Sequence, residues 1–287
     1  MLPAGDALWD APYLVVAETD GARPESRVFL AAAIAVEAID MHFAAAIERE
    51  EHVRWDDDAG LVVARRIERL GAIILREAPL REPERGAVVA AFTAGIAVRG
   101  VAALPWSDSA RQLRARVAFL RTLDTSWPDL SDEALTSDIA TWLGPGLEGL
   151  RRWDDLRQVD LAAAVAGLLD WRRRAALESD APTHVQVPSG SRIAVDYSDP
   201  TAPVLPVRLQ EMFGQAETPR IAGGRVPLTI QLLSPAGRPV QVTRDLAGFW
   251  RSTYFDVRKD LRGRYPRHYW PDDPLVAEPT RRVRPRR

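Results

Sequence analysis

Short runs rich in β-forming residues, separated by turn residues, mark the first part of the chain as β-structure. Five such runs occur before residue 80, at 12–18, 27–30, 52–55, 61–66 and 72–76. Between the second and third runs, Ile39, Phe43 and Ile47 recur every four residues, which predicts a helix with one apolar stripe. Five short strands and one helix are the elements of an OB-fold barrel, although a small open sheet has the same elements.

The spacing of apolar residues changes to that of a helix between residues 83 and 180. One predicted helical face carries Val88, Ala91, Phe92, Gly95 and Ile96, and another carries Ala110, Leu113, Val117 and Leu120. Helix starts are predicted by the capping residues Ser107, Ser131 and Asp160, and a stop by the Gly-Pro-Gly at 144–146. These signals predict a bundle of four or five helices.

Strand-type alternation returns after residue 181 and alternates with helical segments. The predicted elements are a hairpin at 183–187 and 192–197, a short helix at 207–213, a second hairpin at 226–233 and 239–242, and a helix at 246–261. Residues from about 262 to 287 are rich in proline and arginine and are predicted to be extended.

Together the patterns predict a multi-domain α+β protein. We expect an OB-like β-barrel domain at residues 1–82 and a helical bundle domain at 83–180. A small, β-rich α+β domain is expected at 181–287, ending in an extended basic tail at about 262–287.

The composition narrows the class of protein. The chain has 287 residues, of which 46% are hydrophobic and 27% charged, as in ordinary globular proteins. It has no cysteine, which excludes disulfides, zinc–cysteine sites and thiol nucleophiles. No stretch approaches the roughly 20 apolar residues of a membrane span, and the N-terminus lacks the basic start of a secretory signal. We therefore expect a soluble, cytoplasmic protein with no membrane partner.

The single lysine, Lys259, limits the chemistry that the chain can perform. A P-loop places a lysine after a glycine run so that it reaches the terminal phosphates of a nucleotide. Lys259 stands in the sequence Val-Arg-Lys-Asp, without such glycines. The sequence thus excludes a P-loop ATPase, and it excludes a lysine Schiff base at any other position.

Charge is distributed unevenly along the chain. From residue 181 onward there are 17 basic and 10 acidic residues, whereas 21 basic and 30 acidic residues precede that point. The C-terminal part therefore carries an excess of positive charge within a chain of net charge −2. Such asymmetry favours an anionic partner, most commonly nucleic acid, although arginines in a tail can equally serve solubility.

Distinctive sequence stretches run from residue 106 nearly to the C-terminus. They are WSD at 106–108, RQLRAR at 111–116, WPDLS at 127–131, PSGSRI at 188–193, RLQEMFG at 208–214, LLSP at 232–235, RPVQVTRDLAGFW at 238–250, RYP at 264–266 and WPDDP at 270–274. Together they resemble the C-terminal region of the HrpB helicases, which are bacterial ATP-dependent helicases of the DEAH/RHA family.

The resemblance implies a parent helicase with two RecA-like motor domains, a winged helix and a helical bundle ahead of this region. The sequence contains no Walker A motif, no Asp-Glu-Ala-His and no arginine-finger motif. We therefore expect an expressed fragment or a truncated reading frame without ATPase activity of its own. No cofactor is expected in this chain, and ATP and Mg²⁺ would bind only to the missing motor.

The resemblance also implies that the OB-like domain lies against the motor domains and helps to hold single-stranded RNA or DNA. OB folds bind single strands by aromatic stacking beside cations that follow the backbone. Candidates on the predicted third and fourth strands are Arg54, Trp55, Arg65, Arg66 and Arg69. The alternative is that Trp55 packs inside the barrel while the arginines coat a solvent-facing surface.

A second group of candidate nucleic-acid-binding residues lies between residues 244 and 268, where cations and aromatic residues interleave. Its members are Arg244, Arg251, Tyr254, Arg258, Lys259, Arg262, Arg264, Tyr265 and Arg267. Guanidinium groups bind phosphate oxygens and stack on bases, which suits a nucleic-acid surface. The alternative is a helix whose aromatic side chains pack on the neighbouring sheet while its cations face water.

Three enzymatic or ligand-binding interpretations have weaker support. Ser189 or Ser191 with His184 and Asp196 has the residue types of a nucleophilic triad, but without a strand–turn–helix elbow.

The other two interpretations concern a metal and a phosphate. His268, Asp272 and Asp273 are metal-ligand types, yet no second histidine is nearby. The glycine pair within residues 220–225 has the look of a phosphate loop but is more typical of a turn.

Two functions of different classes follow from the sequence. The first is an accessory nucleic-acid-binding region of a helicase, with single-stranded RNA or DNA and the motor domains as partners. The second is a structural or protein-interaction region that braces the motor or docks a partner, with little nucleic-acid contact.

Overall fold

A computed structural model describes residues 2, 6–21 and 25–283 of the chain. The chain divides into two compact units, and each is described here by itself. The first unit is Met1–Gly95 with Gly149–Trp153, and the second is Ile96–Glu148 with Asp154–Arg287. The division into three domains stays a prediction. Within the described ranges, no helix is long and apolar enough to cross a membrane.

The first unit contains the strands that the runs of β-forming residues predict. Its elements are β1 Leu14–Thr19, β2 Val28–Ala33, α1 Val36–Phe43, β3 Ile47–Asp56, β4 Leu61–Leu70 and β5 Ile73–Pro79, followed by the start of α2, Arg85–Arg99. β1 and β2 form a two-stranded antiparallel sheet, and β3, β4 and β5 form a three-stranded antiparallel sheet in that order. Ile39 is buried on α1 as predicted, but Phe43 is exposed and Ile47 already begins β3.

The predicted closed barrel is not found among the described residues. A barrel requires every strand to pair on both of its edges. Here β3 and β5 each pair only with β4, while β1 and β2 pair only with each other. The alternating pattern determines which face of a strand is buried, but not which strand lies at its edge. The coarser prediction of an α+β protein is confirmed, and its strands form several small sheets.

Trp55 on β3 joins the three-stranded sheet to α2. Its ring lies 5.3 Å from Phe92 and 6.1 Å from Trp153, measured between ring centroids. A Cβ atom added to Gly95 would lie 2.3 Å from the Trp55 ring, so only glycine allows the helix to approach this closely. Residues 149–153 complete the unit by pairing with the start of β4, where the Val62 amide donates to the Arg151 carbonyl at 2.8 Å.

The second unit begins with short helices that the capping signals locate well. They are α3 Asp108–Leu123, α4 Asp132–Ser137, α5 Ile139–Trp142, α6 Leu161–Ala166 and α7 Trp171–Asp180. Ser107, Ser131 and Asp160 accept amide hydrogen bonds in their helices' first turns, as predicted. There are more helices than predicted, because Asp138 interrupts one predicted helix and divides it into α4 and α5, and because α7 follows α6 as a separate helix.

A buried arginine ties α3 to the end of α7. Arg116 is only 5% exposed. Its guanidinium donates to the carbonyls of Ala181 at 2.5 Å and Leu177 at 3.1 Å, and to the Glu178 carboxylate at 2.8 Å. Carbonyls at a helix C-terminus lack partners within the helix, so Arg116 satisfies groups that would otherwise be buried without a full set of hydrogen bonds.

The C-terminal part contains small sheets followed by two helices. The elements are β6 His184–Gln186, β7 Arg192–Ala194, β8 Val204–Arg208, β9 Arg220–Ile221, β10 Val226–Pro227, β11 Thr229–Leu233, β12 Pro239–Thr243, α8 Leu246–Arg251 and α9 Tyr254–Arg264. Both predicted hairpins are present as β6–β7 and β11–β12. The predicted helix at 207–213 is mostly wrong: β8 occupies its start and pairs in parallel with β11, which leaves only Leu209–Glu211 helical.

The C-terminal residues pack back on the unit instead of extending from it. Residues 254–264 are helical, and residues 268–283, here called the strap, return to the core. The Gly214 amide donates to Pro274 at 2.9 Å, and the Thr280 amide donates to Gln210 at 3.0 Å. Trp270, which also lies in the strap, is buried. The prediction of an extended tail is therefore wrong up to residue 283, and its last residues, 284–287, lie outside the described ranges.

We predict that Gly95→Ala destabilises the first unit. The added methyl group has to displace the Trp55 ring, and overpacking of this kind costs about 1–3 kcal/mol. Gly263→Ala is the matched control, because Gly263 is also helical but has nothing within 4 Å of its added Cβ. The control should stabilise the chain slightly through helix propensity. Urea unfolding that gives equal stability changes for the two variants would contradict the packing of Trp55 on α2.

We also predict that Arg116→Met lowers the free energy of unfolding by about 1–3 kcal/mol, because the buried Ala181 carbonyl loses its donor and the Leu177 carbonyl keeps only the Ala181 amide. Glu178→Gln is the control. The Glu178 side chain is largely exposed, so its ion pair with Arg116 should contribute less than about 1 kcal/mol. Urea unfolding of both variants measures the difference, and a larger loss from Glu178→Gln would refute the role given to the carbonyls.

Candidate nucleic-acid interface

The predicted site residues on β3 and β4 do not share one surface. Trp55 lies opposite Val62 in the antiparallel register, so it shares a sheet face with Arg66. Arg54, Arg65 and Arg69 lie at the alternate positions and therefore belong to the other face. The expected arrangement of an aromatic ring beside four arginines is therefore not found on one face of this sheet, since only Arg66 shares the face of Trp55.

Trp55 is a packing residue in this structure. Its ring is half-buried against Phe92 and Gly95. Its indole N–H donates to the Asp57 carboxylate at 3.1 Å. A base would have to displace one of these neighbours to stack on the ring, so the geometry matches the packing alternative for Trp55.

The arginines of the sheet are already paired with carboxylates. The pairs are Arg54–Asp56 at 3.7 Å, Arg65–Glu77 at 2.6 Å, Arg66–Glu51 at 3.3 Å and Arg69–Glu50 at 3.6 Å. Glu68 on β4 is paired as well: hydrogen bonds, first from Arg49 and second from Arg76, lower the pKa of its carboxyl. A phosphate group would compete with a resident carboxylate at each of these positions, which weakens the attraction of this surface for nucleic acid.

Two of the C-terminal candidates, Tyr254 and Arg258, hold the strap in place. The Tyr254 hydroxyl donates to the Pro271 carbonyl at 2.8 Å, and burial raises the pKa of this phenol. The Arg258 Nε donates to the Trp270 carbonyl at 3.2 Å, and its guanidinium forms an ion pair with Asp272. Both side chains therefore have structural partners.

The outward side of α9 carries cations that have no carboxylate partner among the described residues. Lys259 and Arg262 are exposed, and neither has a carboxylate within 4 Å among the described residues. Phe255 is 48% exposed and precedes them by four and seven residues, which puts all three on one side of the helix. We call Phe255, Lys259 and Arg262 the α9 stripe. It combines an aromatic ring with two cations available to phosphates.

Sequence reasoning missed Phe255. It directly follows the buried Tyr254, and it falls within an aromatic run that looks like core. The available signal was helical phase, since adjacent residues on a helix point about 100° apart and a narrow buried stripe includes only one of the two.

The remaining C-terminal candidates vary in their partners. Arg244 donates to the Thr229 hydroxyl at 2.9 Å, and Arg264 pairs with Asp260 at 3.1 Å. Tyr265 is half-buried and accepts the Trp270 indole N–H through its carbonyl at 2.9 Å. Arg251 and Arg267 are exposed, with no carboxylate partner in the part of the chain that is described.

The serines considered for a triad bond a carboxylate. Ser189 donates to Glu211 at 2.8 Å, and Ser191 donates to the same oxygen. The His184 ring contacts the Thr183 hydroxyl at 3.1 Å. These hydroxyls therefore bond the buried Glu211 carboxylate, and His184, the base of the considered triad, is bonded to Thr183 instead of to either serine.

The other two sites are also explained by local bonds. His268 contacts Gln210 at 3.3 Å, and burial, followed by the charge of Arg208, lowers the pKa of its imidazole. No cluster of three or more metal-ligand side chains occurs among the described residues. In the glycine turn, Arg220 donates to the Gly224 carbonyl at 2.6 Å, so its guanidinium closes the turn.

Comparisons with known proteins locate the chain within a family. A family described as "ATP-dependent helicase C-terminal" matches residues 142–274, and one described as "ATP-dependent RNA helicase HrpB, connector region" matches residues 46–80, essentially β3 to β5. The ATP-dependent RNA helicase HrpB of Escherichia coli (strain K12) is 40% identical over 288 residues, which cover 99% of this chain and 36% of that protein.

Two solved structures of HrpB proteins are also similar to this chain. The crystal structure of the E. coli DExH-box NTPase HrpB is similar with a TM-score of 0.69 and 40% identity, over 98% of this chain and 35% of the other. A crystal structure of the E. coli DEAH/RHA helicase HrpB has a TM-score of 0.60 and 37% identity, over 94% of this chain and 34% of the other. The chain thus spans about a third of the length of these relatives, and it belongs to the HrpB helicase family as the C-terminal region of its members.

Proposed function

We propose that the chain is an accessory, nucleic-acid-contacting region of an ATP-dependent RNA helicase of the HrpB type. Family membership supports the parent's identity, and the α9 stripe is the observation that supports nucleic-acid contact. ATP and Mg²⁺ would be bound by motor domains outside this chain, because its only lysine lies on α9 and not in a P-loop. The other proposed partners are single-stranded RNA or DNA and those motor domains, in the cytoplasm.

The physical basis of the proposal is the difference between paired and unpaired cations. On the β3–β5 sheet, a phosphate gains an arginine only by displacing a carboxylate. At Lys259 and Arg262 it displaces only counterions and water, so binding gains the entropy of counterion release. Phe255 adds a surface on which a base of any identity can stack. The stripe therefore suits single strands without sequence preference.

We predict that the double variant Lys259→Gln/Arg262→Gln weakens binding to a single-stranded RNA of about 20 nucleotides. It should also reduce the slope of log affinity against log salt by about 1.4, because each phosphate contact to a single strand contributes about 0.7. Fluorescence anisotropy across a range of salt concentrations measures both effects.

Arg54→Gln/Arg65→Gln is the matched control, because it removes the same charge from arginines that are already paired. Its salt slope should change by clearly less. If the wild-type chain does not bind the strand at low salt, or if both double variants lose affinity equally, the α9 stripe is not the binding surface.

A second proposed function, that of a structural region that braces the motor domains, is also supported by a specific observation. Neighbouring strand residues face opposite sides of a sheet, yet Phe29 and Leu30 on β2 are 58% and 59% exposed. Val15 and Val16 on β1 are likewise exposed. The β1–β2 ribbon is therefore apolar and uncovered on both faces, and an isolated two-stranded sheet has little stability of its own. We propose that the remainder of the helicase chain covers it.

We predict that Phe29→Ser/Leu30→Ser weakens association of this chain with the separately expressed remainder of an HrpB helicase. The loss of apolar burial at the interface should lower affinity at least about tenfold. Isothermal titration calorimetry measures the effect, and Lys259→Gln/Arg262→Gln serves as a control that should leave this association unchanged. Unaltered affinity in the Phe29/Leu30 variant would exclude the ribbon as the contact.

A further inference from the structure

The most exposed tryptophan among the described residues is Trp171, at the start of α7. Trp171 is 74% exposed, whereas Trp106, Trp127, Trp142 and Trp250 are buried. Exposing so large an aromatic surface to water gives up the hydrophobic stabilisation that burial would provide, so the fold gains nothing from this placement. Trp171 belongs to neither the α9 stripe nor the β1–β2 ribbon.

Arg172 lies over the Trp171 ring. The distance from its guanidinium carbon to the ring centroid is 5.3 Å, within the range of a cation–π contact. In the described part of the chain, Arg172 has no carboxylate within 4 Å. The pair is therefore a preformed aromatic and cationic surface, with one face of the indole left open.

Local stability does not explain Arg172. Arginine occupies three successive positions in the first turn of α7, where the helix dipole disfavours cations. Arg173 and Arg174 have structural bonds there. Arg173 donates to the Ser126 carbonyl at 2.7 Å, and Arg174 donates to Leu169 at 3.0 Å. Arg172 has no such bond, so its charge at this position is unfavourable for the helix and available to a ligand.

We propose that Trp171 and Arg172 form a binding site for one unpaired nucleotide of a single-stranded nucleic acid. The base stacks on the open face of the Trp171 ring, and the adjacent phosphate binds the Arg172 guanidinium. Aromatic stacking combined with an arginine is how proteins hold single strands without sequence preference. The site shares only its ligand class with the proposed function, and it uses residues outside the α9 stripe.

The surroundings favour a nucleotide over a protein partner. A protein hot spot built on tryptophan sits within apolar contacts that exclude water. The residues one helical turn after Trp171 are Arg174 and Ala175, which offer a cation and a small side chain. An isolated ring among cations suits a flat base carrying a phosphate. Arg172, Arg173 and Arg174 outnumber the nearby carboxylates of Asp170 and Asp124, so the local charge is also complementary to a nucleic acid.

The test measures binding of a single-stranded RNA to the full chain by fluorescence anisotropy at a fixed, low salt concentration. Trp171→Ala should weaken binding about 5- to 150-fold, the range expected for loss of one stacked base. Trp171→Phe should restore most of the affinity, and Arg172→Gln should weaken it less than Trp171→Ala does. Trp9→Ala, which removes another exposed tryptophan, is the control and should bind as wild type does.

Two further measurements make each outcome decisive. Trp171→Ala should leave the midpoint of thermal unfolding unchanged, because the ring is exposed; this excludes misfolding as the cause of lost binding. A strand carrying 5-bromouridine should photocrosslink to the peptide that contains Trp171. If Trp171→Ala binds within twofold of wild type, or if the crosslink falls elsewhere, the site is refuted and a protein partner becomes the better explanation of the exposed ring.

The same experiment separates this site from the α9 stripe. Loss of affinity in Lys259→Gln/Arg262→Gln with none in Trp171→Ala would refute only the Trp171 site. Loss in Trp171→Ala with none in the α9 variant would refute only the stripe. Absence of binding by the wild-type chain would refute both.

Discussion

Fixed partners for arginine guanidinium groups hold much of this chain together. Arg116 joins α3 to the end of α7 through buried carbonyls, and Arg258 holds the strap through the Trp270 carbonyl and Asp272. On the β3–β5 sheet, arginines form cross-strand and neighbouring ion pairs. A guanidinium has five donors in a rigid plane, so it can bond several carbonyls at once where a lysine ammonium would leave some unsatisfied. This explains how a chain with one lysine uses so many arginines structurally.

The same constraint decides which cations remain for a polyanion. An arginine that bonds a carbonyl or carboxylate inside the fold gives little to a phosphate, because binding would first break the internal bond. Only a minority of the described cations lack such partners, and Lys259, Arg262 and Arg172 are among them. The two aromatic rings that stay exposed beside these cations are Phe255 and Trp171. The ligand-binding roles proposed here thus fall to arginines and aromatic residues other than those that hold the fold together.

Aromatic residues are divided in the same way, into rings that pack inside the fold and rings that are exposed. Tyr254 lies within a cluster with Phe213, Phe249 and Trp250, and Trp55 packs on α2 beside Gly95. These rings fix the positions of α9 and α2, and their neighbours then face outward. The proposed contact with a nucleic-acid strand needs both properties, because a binding surface has to be held rigidly by side chains that do not themselves contact the ligand.

The sequence by itself determined the α+β class, the positions of most strands and helix starts, the resemblance to HrpB helicases and the lack of a P-loop lysine. These follow from local signals: alternation, capping residues, motif strings and a count of one residue type. The tertiary structure decided that the strands of the first unit remain two sheets, that β8 joins β11 in parallel, and that the strap returns to the core. It also decided which site candidates are available: Trp55, Tyr254 and Arg258 have internal partners, while Phe255 and Trp171 emerged as exposed rings. Strand edges and side-chain partners depend on residues far apart in the chain, and a local pattern carries no information about which distant group will occupy the space beside it.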